Sequence, residues 1–241
     1  MKKELPPKYI FSLYQHPTLF SDELLPIVQK TLAKMDDDDQ KARLIRVLEG
    51  REDAASIDLL LQFLKVDNAY VRSSAARALK GTISPKIAAI VPELLYDSTR
   101  TTLELTDLAI TNHIDTLHVY YEQLYAQYSR ANMYSMHYLS TFPLPRHHTL
   151  FKQSLSNEGR TNHTERRYAA LGLAKIQDKD AVELIYQAMA LENQSSDFNV
   201  KMYLQALGYI KTPSSKKILE QYKDSQQESV RVMVRKMLAD W

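Results

Sequence analysis

Val71-Arg72-Ser73-Ser74-Ala75-Ala76-Arg77-Ala78-Leu79-Lys80-Gly81 is the stretch on which the fold turns. It returns as Glu165-Arg166-Arg167-Tyr168-Ala169-Ala170-Leu171-Gly172-Leu173-Ala174-Lys175-Ile176 and again as Val200-Lys201-Met202-Tyr203-Leu204-Gln205-Ala206-Leu207-Gly208-Tyr209-Ile210. Weaker copies occupy Lys41–Leu48 and Val230–Leu238. Aligned on the last strong leucine, the anchors are Leu48, Leu79, Leu173, Leu207 and Leu238, with neighbouring spacings of 31, 34 and 31. The gap of 94 between Leu79 and Leu173 holds three such steps, and Ile110 and Leu139 are the expected anchors inside it. Seven units then cover nearly the whole chain. A fixed period of this length is the signature of a repeat architecture.

Each unit reads as two helices. The Val-Arg segment is followed by a second segment that is apolar at helical period: Ile57, Leu60, Leu61 and Leu64, then Val182, Ile185 and Met189, then Ile218 and Tyr222. The joints carry helix-start chemistry. Ser84-Pro85 and Thr212-Pro213 offer a hydroxyl cap before a proline at the first helical position. Asp53 and Asp178 can cap equivalent starts, and Asn162-His163-Thr164-Glu165 has the spacing of a capping box. One helix pair cannot bury its apolar face alone, so the units are expected to stack. Ala75-Ala76 and Ala169-Ala170 would let helices approach closely.

The run Val-Arg-x-x-Ala-Ala-x-Ala-Leu, followed by Gly or Lys and then Asp, Ser or Thr, resembles the HEAT repeat. Its short period is similar to the variant of phycobilisome-lyase-like HEAT proteins. The likeness is strong over 68–97 and 163–241, moderate over 38–66 and poor over 98–160. It implies an all-α fold, a right-handed α-α superhelix of about seven helix pairs, with the second helices on the concave face. It also implies a ladder of basic residues seven positions before each anchor, here Lys41, Arg72, Arg166 and Arg231, broken at Val200. Such residues are expected to reach a carboxylate or backbone carbonyl of an adjacent unit. The organisation expected is one domain over 1–241: an N-terminal cap at 1–37, irregular over Pro6–Leu25, regular repeats at 38–97, divergent repeats at 98–160, and regular repeats with a C-terminal cap, including Trp241, at 161–241.

Composition agrees. The 241 residues hold five glycines, where average usage would supply roughly 17, which disfavours a turn-rich β protein. There is no cysteine, so a disulfide framework, a thiolate metal site and a cysteine nucleophile are excluded. The formal net charge of +2 lacks the basic excess of most nucleic-acid binders. No apolar run approaches ~18 residues, so no membrane span is expected. The start, Met1-Lys2-Lys3-Glu4-Leu5-Pro6-Pro7, has no apolar region after its lysines and does not read as a signal peptide. The localisation expected is cytoplasmic.

Residues 101–150 depart from the rest. Tyr120, Tyr121, Tyr125, Tyr128, Tyr134 and Tyr138 crowd into one stretch, with Met133, Met136 and His137 among them, while Arg130 and Arg146 are its only basic side chains. These rings read either as filling where alanines are missing or as a partner contact, since tyrosine suits interface cores.

No catalytic motif appears. His113, His118, His137, His147 and His148 lack the spacing of a metal site, and the His-Glu pairs of the HEAT-like deoxyhypusine hydroxylase are absent. Asp36-Asp37-Asp38-Asp39 reads as charge at a helix start rather than a calcium loop. The expectation is therefore a non-enzymatic chain without cofactor or metal. It would bind another protein as scaffold, adaptor or inhibitor, an immunity-type antidote being one form. Partner contacts are expected at Arg43, Arg46, Arg77, Tyr134, His137, Tyr138, Arg167, Tyr168, Lys201 and Arg235. The alternatives are a HEAT-like enzyme or lyase subunit and a nucleic-acid binder with a basic groove.

Overall fold

The computed structural model of the chain describes residues 6–16, 20–96, 103–127, 132–156, 162–192 and 197–241. Every regular element among them is helical, so the fold is all-α. Two compact units divide the chain, Met1–Leu117 and His118–Trp241. The first contains α1 (Pro7–Gln15), α2 (Leu25–Lys34), α3 (Asp38–Arg46), α4 (Ala54–Phe63), α5 (Ala69–Ala78), α6 (Pro85–Tyr96) and α7 (Leu103–Thr111). The second contains α8 (His118–Gln127), α9 (Asn132–Thr141), α10 (His148–Ser156), α11 (His163–Lys175), α12 (Val182–Ala190), α13 (Asp197–Ile210), α14 (Pro213–Tyr222) and α15 (Glu228–Ala239).

The helices pair even with odd, from α2 with α3 to α14 with α15, giving seven pairs, three in the first unit and four in the second. The frame is shifted by one helix from the sequence reading: each Val-Arg helix closes a pair with the helix before it. The basic ladder shows why. Arg72 Nη1 donates to the carbonyls of Val66 and Asp67, at 2.8 and 2.5 Å, in the turn between α4 and α5. Arg231 Nη1 donates to the Ser225 carbonyl, at 3.0 Å, in the turn between α14 and α15. These guanidiniums tether the second helix of a pair to its own first helix, not to an adjacent unit. Lys41 stays local, 3.6 Å from Asp38, and Arg166 Nη2 meets His163 Nδ1 at 3.1 Å.

Helix starts follow the sequence closely. Asp53 accepts from the Ser56 amide (2.9 Å), Asn162 from Thr164 (2.9 Å), Asp178 from Asp180 (3.0 Å) and Thr212 from Ser215 (3.1 Å). Within the acidic run, Asp37 caps α3 through the Gln40 amide (3.0 Å). Such caps each contribute about 1 kcal/mol. The capping box at Asn162 is incomplete, because Glu165 turns inward. The N-terminal region expected to be irregular forms α1, which buries Ile10 and Leu13 and packs on α3. Trp241 is half-buried, with the Lys216 ammonium 5.8 Å from its ring.

In each unit the odd-numbered helices pack closely on one another and the even-numbered ones more loosely. Small residues allow the close row: Ala75, Ala76, Ala169, Ala170 and Ala206 are buried in it. The anchors Leu48, Leu79, Leu139, Leu173 and Leu207 are all fully buried. Ile110 and Leu238 are not; both are half-buried, and in α7 Leu108 and Ala109 beside Ile110 hold the core position. Large rings fill the second unit, where Tyr121, Tyr138, Phe151 and Tyr203 are fully buried. Gly172 makes room for one of them, because a Cβ there would lie 2.5 Å from the Phe151 ring.

The odd helices also end alike. Gly50, Gly81, His113, Gln177 and Lys211 follow α3, α5, α7, α11 and α13, and all have positive φ, from 51° to 82°. This left-handed residue is a common way to end a helix. Beside these ends, bonds run to the neighbouring odd helix. The Gly50 amide donates to the Ala78 carbonyl (3.3 Å), Asn112 Nδ2 to Thr82 (3.1 Å), Lys175 Nζ to Thr141 (3.2 Å), Gln177 Nε2 to Tyr209 (3.0 Å) and Lys211 Nζ to Asp240 (2.8 Å). No helix among the described residues is long and apolar enough to cross a membrane.

Candidate functional site

All ten nominated residues lie on odd helices: Arg43 and Arg46 on α3, Arg77 on α5, Tyr134, His137 and Tyr138 on α9, Arg167 and Tyr168 on α11, Lys201 on α13 and Arg235 on α15. A fixed register behind the anchor leucines turns equivalent positions toward the same side of the row within a unit.

In the first unit, Arg43, Arg46 and Arg77 line one hollow of ≈ 60 Å³ between α3 and α5, with Tyr70, Ser73 and Ser74. Arg46 Nη2 is 2.9 Å from Glu49 Oε2, and Arg77 Nη2 is 3.0 Å from Glu104 Oε1, which also accepts from Ser73 Oγ at 3.0 Å. Burial alone would raise the Glu104 carboxyl. Hydrogen bonds from its own amide, Arg77 and Ser73 outweigh that and hold it below the usual carboxylate range. Arg43 is exposed and makes no hydrogen bond or ion pair among the described residues. Tyr70 is 54% exposed, so the hollow has an open aromatic rim.

In the second unit the row carries half-buried aromatic groups beside basic ones. The His137 ring stacks on Tyr168 with centroids 4.4 Å apart. Burial, aided by the charge of Lys175, lowers the His137 pKa to about 4, so its ring is neutral at pH 7. Tyr134 and Lys201 are half-buried, and neither makes a hydrogen bond or ion pair among the described residues. Arg235 is exposed, bonded to Asp224 (2.8 Å) and to the Lys223 carbonyl (2.9 Å). A cleft of ≈ 490 Å³ separates α13 from α15, lined by Gly208, Tyr209, Met233 and Met237.

Two nominations move inward. Tyr138 is fully buried and stacks on Tyr121 with centroids 4.1 Å apart, so it is core. Arg167 is 7% exposed and sits 3.6 Å from the buried carboxylate of Glu192. Among the other rings, Tyr120 and Tyr121 are buried, Tyr125 is half-buried, and Tyr128 lies outside the described residues, as does Arg130.

Three buried polar groupings were missed in the sequence. Glu192 accepts from Tyr203 Oη (2.9 Å) and lies 3.1 Å from His163 Nδ1, which joins α11, α13 and the end of α12. Burial and the Glu192 charge push the Tyr203 phenol up. Glu165 accepts from Tyr125 Oη (2.7 Å) and Ser154 Oγ (3.2 Å), and burial with this carboxylate pushes Tyr125 up to about 12. His147 accepts from the Leu144 amide at Nδ1 (3.1 Å), so Nε2 carries the proton donated to Glu122 (2.7 Å). These pairings span from 11 to 40 residues in sequence, distances at which no local pattern announces a partner. Among the described residues no three His, Asp or Glu side chains converge as a metal site would require.

Residues 165–190 match the family model of the PBS lyase HEAT-like repeat, the variant that the sequence resembles. No curated protein matches the chain. Solved structures similar to it include human deoxyhypusine hydroxylase in complex with glycerol, at 16% identity over 97% of this chain and 90% of that one, with a TM-score of 0.40. The complex of CpcE and CpcF of phycocyanin lyase from Nostoc sp. is 14% identical over 99% of this chain and 95% of that one, with a TM-score of 0.48. An engineered protein is 19% identical over 91% and 96%, with a TM-score of 0.41. The family match corrects the expectation that the chain is not an enzyme. The repeat that matches residues 165–190 is named for a lyase, so the absence of a familiar catalytic motif does not separate this chain from enzymes.

Proposed function

We propose that the chain binds a protein partner along the exposed side of its odd-numbered helices, as a scaffold, adaptor or inhibitor. The observation that carries this reading is the content of that side. Arg43, Tyr134 and Lys201 are reachable and make no hydrogen bond or ion pair among the described residues, and Tyr70 and Tyr209 are more than half exposed. Arginine and tyrosine are the residues that dominate interface energetics. The stacked His137 and Tyr168 rings add a rigid pair whose side-chain freedom is already restricted before any partner arrives, which lowers the ordering cost of association. An immunity-type inhibitor is one form of the reading, and a cytoplasmic setting goes with it.

The test is photo-crosslinking in cells of the source organism. A benzophenone amino acid replaces Tyr134, Tyr168 or Lys201 on the odd row, and Tyr186 or Lys217 on the even row. One discrete protein adduct, common to the odd-row positions and absent from the even-row ones, is the expected result. Adducts of equal yield from both rows, or none from the odd row, would refute the assignment.

A further inference from the structure

The hollow between α3 and α5 has a chemistry of its own. Three arginines from two helices line a hollow of ≈ 60 Å³, well above the roughly 10–15 Å³ that one water needs on the same measure and enough for a small polar group. Like charges gathered this way repel one another unless an anion lies among them. Glu49 engages Arg46 and Glu104 engages Arg77, while Arg43 makes no hydrogen bond or ion pair among the described residues. The charge of Arg43 helps to lower the Asp37 carboxyl at the start of α3 without forming an ion pair with it. Arg77 also keeps Nε and Nη1 without partners among the described residues.

We propose that this hollow receives a carboxylate side chain from an acidic segment of the protein partner. The proposal deepens the protein-binding reading and rests on it. Planar guanidinium forks match a carboxylate with two parallel hydrogen bonds, and Arg43 and Arg77 line the hollow from adjacent helices. The Tyr70 ring at the rim gives the flanking residue of the segment an aromatic surface. Chain charge argues against a nucleic-acid strand in the same place. The next odd helix, α7, carries Glu104 and Asp107 toward Arg77 and Lys80, at 3.0 and 4.0 Å, so the basic surface ends after two helices. A phosphate backbone needs a longer basic track than this.

The experiment follows the arginine Nε–H resonances of the full chain by NMR during titration with tetraglutamate, with tetraglutamine and a short oligothymidylate as parallel probes. The expected result is saturable shifts of Arg43 and Arg77 with tetraglutamate, none with tetraglutamine, and no change at Arg235, which lies on α15 outside the hollow. Arg43→Gln, on an exposed position that does not threaten folding, should weaken tetraglutamate about tenfold, or 1.4 kcal/mol. Lys217→Gln should leave it unchanged. Shifts that do not saturate, equal shifts with tetraglutamine, or an unaltered affinity in Arg43→Gln would each overturn the proposal. Tighter binding of oligothymidylate at the same arginines, with a steep salt dependence, would replace it with a phosphate site. Failure here leaves the crosslinks from Tyr134, Tyr168 and Lys201 standing, so the two readings fail separately.

Discussion

Replacing Tyr138 and Tyr134 singly by alanine separates core from surface on one helix. Tyr138 is fully buried, with its ring stacked 4.1 Å from Tyr121 and 5.2 Å from Phe142. A buried aromatic ring removes 150–250 Å² from water, and at ~25 cal/mol per Å² its complete loss is about 4–6 kcal/mol. Alanine keeps one carbon, and observed aromatic-to-alanine costs run about 3–5 kcal/mol, so Tyr138→Ala should cost about 4 kcal/mol. Tyr134 is half-buried and makes no hydrogen bond or ring contact among the described residues, and its loss should cost under about 1 kcal/mol. For a chain of this size each kcal/mol moves Tm by about 2–4 °C, so the variants should differ by roughly 6–16 °C. Urea unfolding followed by far-ultraviolet circular dichroism and by tyrosine fluorescence gives the energies, the second probe reporting on the unit that holds the rings. Equal costs for the two variants, or a cost above about 2 kcal/mol for Tyr134→Ala, would show that the inside of α9 is not where Tyr138 places it.

Other outcomes follow from the same geometry. His113 holds a left-handed φ of 53°, where a residue with a Cβ is strained and glycine is not; His113→Gly should raise stability by about 0.5–1 kcal/mol, while Gly81→Ala, with no atom within 4 Å of the new Cβ, should lower it by about 1 kcal/mol through backbone strain alone, both read from urea midpoints. The folded pKa of His137 lies at about 4, below its ordinary 6.5, so between these values the unfolded chain binds the extra proton and the folded chain does not. The stability contribution of His137 is therefore complete above pH 6.5 and drains away as pH falls toward 4, by up to about 3 kcal/mol. His137→Gln should flatten that part of the stability profile, and an unchanged slope would contradict the assignment.

Local chemistry was the legible part of the chain. The caps Asp53, Asn162, Asp178 and Thr212 act across two or three residues, so spacing alone identifies them. The anchor leucines fix which helices alternate, and the ten expected contacts all fall on odd-numbered helices, two of them on the buried side. What the residues did not disclose depends on partners far along the chain. Tyr134 and Tyr138 sit one turn apart on α9 and look alike in sequence; the rings of Tyr121 from α8 and of Phe142 enclose Tyr138 and make it core. Arg167 resembles Arg43 as a helix-face cation until Glu192 arrives from the end of α12. The pairing frame was ambiguous for a different reason. A periodic chain of alternating helices can be cut before or after each Val-Arg segment, and the bonds of Arg72 and Arg231 to the preceding turn make the choice. In α7 the period slips by one residue, which moves the anchor from Ile110 to Ala109, and no pattern of apolar residues distinguishes those two neighbours.

The bonds at the ends of the odd helices have an evolutionary side. Their acceptors at Ala78, Thr82, Thr141, Tyr209 and Asp240 are main-chain oxygens, which every amino acid supplies. A donor on one helix thus imposes no side-chain requirement on its neighbour, and adjoining modules can drift in identity without losing their fastening. Duplication or excision of a whole helix pair would leave the flanking modules able to join by the same means, so the array can lengthen, shorten and diverge while its construction stays the same.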